Sequence, residues 1–329
     1  MRVLVTGAAG MIGSRLVKRL LELGGLAGRP LKSLDLFDAF TCTVPEAPGV
    51  EIRTFQGDIA EVGMSQQLAA AKPDVVFHLA SIVSGEAETN FDLGYRVNLH
   101  GGLALLEALR IQGNRPRFVF SSSGAVFGGP VPDLIDDDFA PTPLTSYGTQ
   151  KVMVEALVQD YTRKGFIEGV SIRLPAICIR PGKPNKAASG FYSGIIREPL
   201  NGIETVVPVP RDIVHSSASP RSAVGFLIHA AQIDSDCIGK RRSLNMPGVF
   251  CTVGEQIDAM VRVAGPQYLH FLRDEIDPAI ERIVSTWPKG YHATRARELG
   301  FTAEADFDEI IRIYIEEEMP GGLPPVNGR

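Results

Sequence analysis

Short apolar runs alternate with longer stretches of helical periodicity through the first half of the chain. Val3, Leu4 and Val5 open it as a buried strand, and from Met11 to Leu23 the apolar residues Ile12, Leu16, Val17, Leu20 and Leu21 share one helix face. Further strands are expected at Ser33 to Leu36, Glu51 to Gln56, Pro73 to Ala80, Arg117 to Phe120 and Val170 to Leu174. Helices are expected from about Phe91 to Gln112 and from Ser146 to Arg163, whereas Ser81 to Asp92 breaks the periodicity. Strands alternating with helices over this length specify an α/β fold, a doubly wound parallel sheet with ligands at the carboxyl ends of its strands.

Beyond Pro175 the pattern changes. Arg180 to Lys186 is basic and loop-like, and short proline-rich segments follow. A helix is expected at about Ala223 to Gln232, a strand at Ser243 to Asn245 and a helix at Val253 to Val263. The chain's last expected helix, Asp306 to Glu318, carries a glutamate run that reads as a solvated face. The expected division is a dinucleotide-binding domain of residues 1–175 with a later contribution from about 215–247. Residues 176–214 and 248–329 form a smaller, C-terminal substrate lobe.

The 329 residues suffice for a large core, and 44% hydrophobic and 22% charged residues are ordinary for a soluble globular protein. A net charge of −5 gives no reason to expect nucleic acid or an acidic membrane as partner. No apolar run approaches the ~20 residues of a membrane span, and a strand at the very start leaves no room for a signal peptide. Cys42, Cys178, Cys237 and Cys251 are scattered, which indicates neither a metal site nor a disulfide framework. A cytoplasmic setting is expected.

The chemistry begins at Thr6-Gly7-Ala8-Ala9-Gly10-Met11-Ile12-Gly13. A tight glycine turn between a buried strand and a helix leaves backbone N–H groups at the positive end of the helix dipole, a site for a pyrophosphate. Gly7 permits the turn, Gly10 lets a phosphate approach, and Gly13 lets the helix lie close on the sheet. Asp35, about twenty residues beyond Gly13, is the expected acceptor for the adenosine ribose hydroxyls at the end of its strand. No arginine follows it directly, so NAD is favoured over NADP. Gly57-Asp58-Ile59 is a plausible lip against the adenine, and His78, inside an apolar strand end, is read as a hydrogen-bonded structural group.

Ser123 closes a strand, and Tyr147 and Lys151 stand four apart on the next helix, on one face. Together they supply a proton acceptor, a cation to tune it and a hydroxyl to orient a substrate oxygen. A tyrosine with pKa about 10 needs about 4 kcal/mol to fall by three units. A lysine ammonium ~4 Å away supplies that order at an effective dielectric of 20.

These pieces resemble the extended short-chain dehydrogenases/reductases, the Rossmann-type group that includes nucleotide-sugar epimerases and dehydratases. The matching residues are the Thr6–Gly13 loop, Asp35, Asp58-Ile59, His78-Leu79-Ala80, Asn98, Ser121 to Gly128, Tyr147 with Lys151, and Arg173 to Pro181. The resemblance implies that Tyr147 is the base, that Ser123 is its partner on the substrate oxygen and that Lys151 holds the nicotinamide ribose. It implies that Asn98 supports the lysine through the helix backbone and that Pro175 lines the nicotinamide pocket. The NAD-binding set it implies is Gly7, Gly10, Met11, Ile12, Gly13, Asp35, Asp58, Ile59, Leu79, Ala80, Ser81, Asn98, Ser121, Tyr147, Lys151 and Pro175. A homodimer with a four-helix interface is a further implication.

The chain departs from the nucleotide-sugar members at the strand end, where Ala176 stands for their asparagine and Arg180 for a glycine; Phe127 replaces a tyrosine. These changes favour a smaller, anionic substrate. Ala80 to Glu88, Ala187 to Ser193 and Ala218 to Val224 resemble the D-erythronate dehydrogenase branch, which implies oxidation of a four-carbon sugar acid at C2 by NAD+. Ser84, Ser123, Arg180, Lys183 and Arg221 are the candidates for holding such a substrate; Arg180 and Lys183 would equally suit a pyrophosphate. The alternatives are a nucleotide-sugar epimerase or dehydratase that recycles bound NAD, and a non-catalytic NAD-binding regulator, against which the intact Ser123, Tyr147 and Lys151 argue.

Overall fold

The apolar runs assemble into one seven-stranded sheet in a computed structural model that describes residues 1–44, 46–182 and 189–324. The strands are β1 (Arg2–Thr6), β2 (Ser33–Asp38), β3 (Glu51–Gln56), β4 (Val75–His78), β5 (Arg117–Ser123) and β6 (Glu168–Leu174). There follow β7 (Ala176–Ile177), β8 (Val214–Ala218), β9 (Ser243–Asn245) and β10 (Val249–Thr252). The large sheet runs β9-β6-β5-β4-β1-β2-β3 with every pair parallel. Its order reverses between β1 and β4, the point where such sheets open a ligand crevice. A three-stranded sheet, β7-β8-β10, continues beyond the end of β6.

Alternation along β1 explains the two covered faces. Val3 and Val5 pack with Leu16, Leu20 and Phe226 on one side, and Leu4 packs with Phe37, Leu105 and Val154 on the other. A further apolar cluster joins Cys178, Tyr192, Ile196, Ile257, Met260 and Ile310.

The helices that matter for the site are α1 (Met11–Leu23), α2 (Ser84–Thr89), α3 (Phe91–Gly94), α4 (Gly102–Gln112) and α5 (Ser146–Arg163). Later come α6 (Gly190–Leu200), α7 (Pro220–Gln232), α8 (Val253–Ala264) and α9 (Phe307–Glu318). Between α3 and α4 lies a π-helical turn, Tyr95–Gly101, that buries Asn98. The segment expected to lack periodicity contains α2, too short to show a face. Helix α7 begins at Pro220, three residues before the expected start, because the Ser219 hydroxyl caps it by accepting from the Ser222 N–H at 3.0 Å. The glutamate run of α9 is not merely solvated. Glu318 pairs with Arg15 of α1, and Glu316 and Glu317 pair with Arg221 of α7 at 2.7 Å.

Candidate active site

The glycine loop sits at the β1/β4 reversal, and its shape requires glycine at Gly7 and Gly13. Gly7 has φ +76°, and a Cβ there would lie 2.7 Å from the Ala80 nitrogen; one on Gly13 would lie 2.0 Å from the Gly7 carbonyl oxygen. Helix α1 starts at Met11 and Ile12 with no side-chain cap on Gly10, so its dipole end is left for a ligand. This cradle fits the pyrophosphate of a dinucleotide. Opposite it, Thr6 accepts from the Leu79 N–H at its carbonyl (3.0 Å) and from the Ala80 N–H at its hydroxyl (3.3 Å). His78 is buried with Nδ1 2.8 Å from the Thr6 Oγ1, and burial pushes its pKa down to about 3, so the ring is neutral.

Asp35 is not at the strand end. It pairs with Leu4 in mid-strand and is buried, and both its oxygens accept from Arg53 of β3, at 2.8 and 2.7 Å. The acid at the carboxyl end of β2 is Asp38, whose oxygens accept from the N–H groups of Ala9 (2.9 Å) and Phe40 (3.1 Å). A small hairpin at Gly25–Leu26 and Arg29–Pro30, between α1 and β2, lengthens the spacing and moves the end position from Asp35 to Asp38. Asp58 accepts from the Ala60 N–H at 2.9 Å and pairs with Arg96. The Ile59 side chain lies in the core with Leu105, leaving only its backbone to face a ligand.

Helix α5 is capped by Thr145, whose hydroxyl accepts from the Gly148 N–H at 3.0 Å. A Cβ on Gly148 would lie 2.1 Å from the Ala125 carbonyl oxygen, so this glycine lets α5 press against the turn after β5. Tyr147 is thereby brought to the Ser123 hydroxyl, and the Ser81 hydroxyl also reaches the phenol. Burial raises the Tyr147 pKa; hydrogen bonding to Ser123, the charge of Arg180 and hydrogen bonding to Ser81 oppose it, in that order. Lys151 donates to the Ser121 carbonyl at 2.8 Å, with its Nζ 5.3 Å from the Tyr147 ring centre and 4.8 Å from that of Phe120. Burial pushes the lysine down to about 7, against the pull of Glu155.

Asn98 bonds to Ser81, Ile82 and Gln150. Its Oδ1 accepts from the Ile82 N–H (2.7 Å) and the Ser81 hydroxyl (3.0 Å), while its Nδ2 donates to Gln150 (2.7 Å) and the Ile82 carbonyl (3.1 Å). It thus ties the segment carrying Ser81 to the helix residue preceding Lys151. One turn further along α5, Glu155 accepts from the Ser122 hydroxyl (2.5 Å) and from Nε and Nη2 of Arg173 (2.9 and 2.7 Å), a buried pair that pins α5 to β5 and β6. Gln150, Glu155 and Asp38 were not singled out in the sequence, where each reads as an ordinary polar residue of a helix or strand end.

The substrate candidates separate. Arg221 is exposed and paired with Glu316 and Glu317 of α9. Lys183 lies outside the described residues. Ser84 begins α2 and, among the described residues, carries no hydrogen bond that turns it toward Tyr147. Arg180, half-buried, follows β7 and acts on Tyr147. Pro175 is buried between β6 and β7.

A Rossmann-type parallel sheet, a glycine cradle at its reversal and a Ser–Tyr–Lys set along its carboxyl edge define an NAD-dependent oxidoreductase. The chain belongs to the NAD-dependent epimerase/dehydratase family, whose model matches residues 3–216. It is 44% identical over 322 residues to D-erythronate dehydrogenase of Cupriavidus necator, covering 96% of this chain and 98% of that one. It is 40% identical to D-erythronate dehydrogenase of Haemophilus influenzae, covering 97% of this chain and 100% of the relative. The crystal structure of the nucleoside-diphosphate-sugar epimerase from Agrobacterium tumefaciens superposes with a TM-score of 0.96 at 52% identity, over 98% of this chain and 96% of that one.

Proposed function

We propose that this enzyme oxidises a sugar acid with NAD+, D-erythronate to its 2-oxo acid being the best candidate reaction. The observation that carries the reading is the near full-length similarity to two D-erythronate dehydrogenases. The side chains agree with it in two respects: Ala176 has no amide for a nucleotide sugar, and Arg180, whose charge acts on Tyr147, is suited to an anion.

In this reading Tyr147 takes the proton of the C2 hydroxyl, its phenol brought down from the raised value of the ligand-free site by the positive charge that NAD+ would add beside it. Ser123 donates to the same oxygen and keeps C2 facing the cofactor, while Lys151 and Asp38 hold the two riboses. Bound in the glycine cradle, NAD+ would supply the acceptor for the C2 hydride. The Asn98–Gln150 link fixes the separation of Ser81 and Lys151, and the Glu155–Arg173 pair keeps α5 from rotating the phenol out of line. The second reading, an epimerase that regenerates its NAD+, is favoured by the name of the Agrobacterium protein.

Purified protein mixed with NAD+ and D-erythronate should accumulate reduced cofactor in stoichiometric amount with the 2-oxo acid. No net reduction with any sugar acid, together with conversion of an added nucleotide sugar, would overturn the proposal in favour of the epimerase. Tyr147→Phe should lower kcat by roughly 100- to 10,000-fold while NAD affinity stays within a few-fold. An unaltered kcat would remove Tyr147 as the base.

A further inference from the structure

Around the site, arginines come with their own carboxylates. Arg173 has Glu155, Arg197 has Glu198, Arg211 has Asp274 and Arg221 has Glu316 and Glu317. Arg180 differs. Its Nε donates to the Ile177 carbonyl and its Nη2 to the Ser189 hydroxyl, both at 2.9 Å, and among the described residues no carboxylate stands within ion-pair distance. Its backbone is fixed as well: the Arg180 N–H donates to Ser193 at 3.0 Å, and its carbonyl accepts from Arg197 at 2.7 Å. The guanidinium is therefore aimed by neutral oxygens and held by α6, with its charge uncompensated in a half-buried place where an unpaired cation is costly.

We infer that Arg180 receives the carboxylate of the substrate and restricts the site to acids whose carboxylate adjoins the reacting carbon. The inference rests on the reading of Tyr147 as the base, since the phenol fixes where the reacting hydroxyl lies. In a 2-hydroxy acid the carboxylate is one bond from the carbon that bears that hydroxyl, so its partner must stand beside Tyr147. Ser123 at the end of β5 pairs with Leu174 at the end of β6, and the chain runs on through β7 to Arg180, whose charge acts on the phenol. A planar guanidinium matches a carboxylate with two parallel N–H donors, which neither a serine nor a lysine reproduces. A neutral polyol of the same length leaves the cation unpaired, and a 3-hydroxy acid displaces its carboxylate by one carbon from the fork.

The test uses oxalate, a small dicarboxylate that mimics the acid end without reacting, bound to the NADH-loaded enzyme and followed by calorimetry, beside steady-state kinetics on D-erythronate. Arg180→Gln should weaken oxalate, and raise KM for the sugar acid, by roughly 30-fold or more, with NADH affinity unchanged. Arg180→Lys should fall between, because it keeps the charge and loses the fork. Oxalate affinity and KM that ignore Arg180→Gln would overturn the inference. If Arg180→Gln fails to bind NADH and so is misfolded, Arg180→Lys decides alone, and undiminished oxalate affinity in that variant overturns it. The two readings fail separately. Oxalate binding that depends on Arg180, with no sugar acid turned over, would refute the proposed reaction and retain the anion site; turnover of D-erythronate indifferent to Arg180→Gln would do the reverse.

Discussion

Replacing Asp38 and Asp35 in parallel tests which acid reads the adenosine ribose. Asp38 ends β2 with its carboxylate held to the glycine loop by the Ala9 N–H at 2.9 Å, whereas Asp35 is spent on Arg53. At about 3.3 Å per residue, Asp35 lies about 10 Å short of the ligand edge. A 2′-phosphate of roughly two charges, about 4 Å from the Asp38 carboxylate, is repelled by about 2 kcal/mol in water and about 8 kcal/mol at an effective dielectric of 20. The lower figure alone is roughly 30-fold in affinity. Asp38→Asn should therefore improve NADP+ binding relative to NAD+ by roughly 30-fold or more. Asp35→Asn should leave that ratio alone and lower Tm, since Arg53 loses a bidentate partner. Calorimetric titration of both dinucleotides into the three proteins, with thermal melts, reads both effects. A relaxed preference in Asp35→Asn and an unaltered one in Asp38→Asn would refute the reasoning.

Glu155→Ala leaves the Arg173 charge buried without its counter-ion and should cost about 3–5 kcal/mol in urea unfolding, a loss under about 1 kcal/mol being the contrary result. His78 and His215 are both buried, with pKa values pushed down to about 3. Above pH about 6.5 neither the folded nor the unfolded chain protonates them; below it the unfolded chain takes up protons that the folded chain refuses. Stability should then fall toward acid by up to about 1.4 kcal/mol per pH unit for each ring, until pH about 3. Urea midpoints at pH 7 and pH 5 measure the drop, and His215→Phe should reduce it; equal drops in the two proteins would show that His215 does not contribute.

The sheet was legible because a strand buried on both faces has to be apolar along its length, as Val3 to Val5 and Phe118 to Phe120 are. Tyr147 and Lys151 were legible because a helix fixes the relation of residues four apart. The acid at the end of β2 was not, since its identity depends on where β2 ends, and the hairpin at Gly25–Pro30 shifts that end without disturbing any periodicity. The π-helical turn at Tyr95–Gly101 was equally hidden: it inserts within an otherwise helical pattern and turns Asn98 inward. The action of the Arg180 charge on Tyr147 relates a residue before β6 to one after β7, a relation set by the return path of the chain and by no local spacing.

The position of β9 has a practical consequence for anyone dividing this protein. Ser243–Asn245 completes the large sheet beside β6, yet it is reached only after the chain has left that sheet at Leu174 and built β7, α6 and β8. No single cut separates a finished nucleotide-binding half. A fragment ending near Leu174 would present β6 as a bare edge, with the N–H and C=O groups that β9 covers open to pairing with a second fragment. Such a piece invites self-association, and a soluble minimal version would need Pro220–Asn245 joined back on by a designed linker, so that α7 and β9 close the edge.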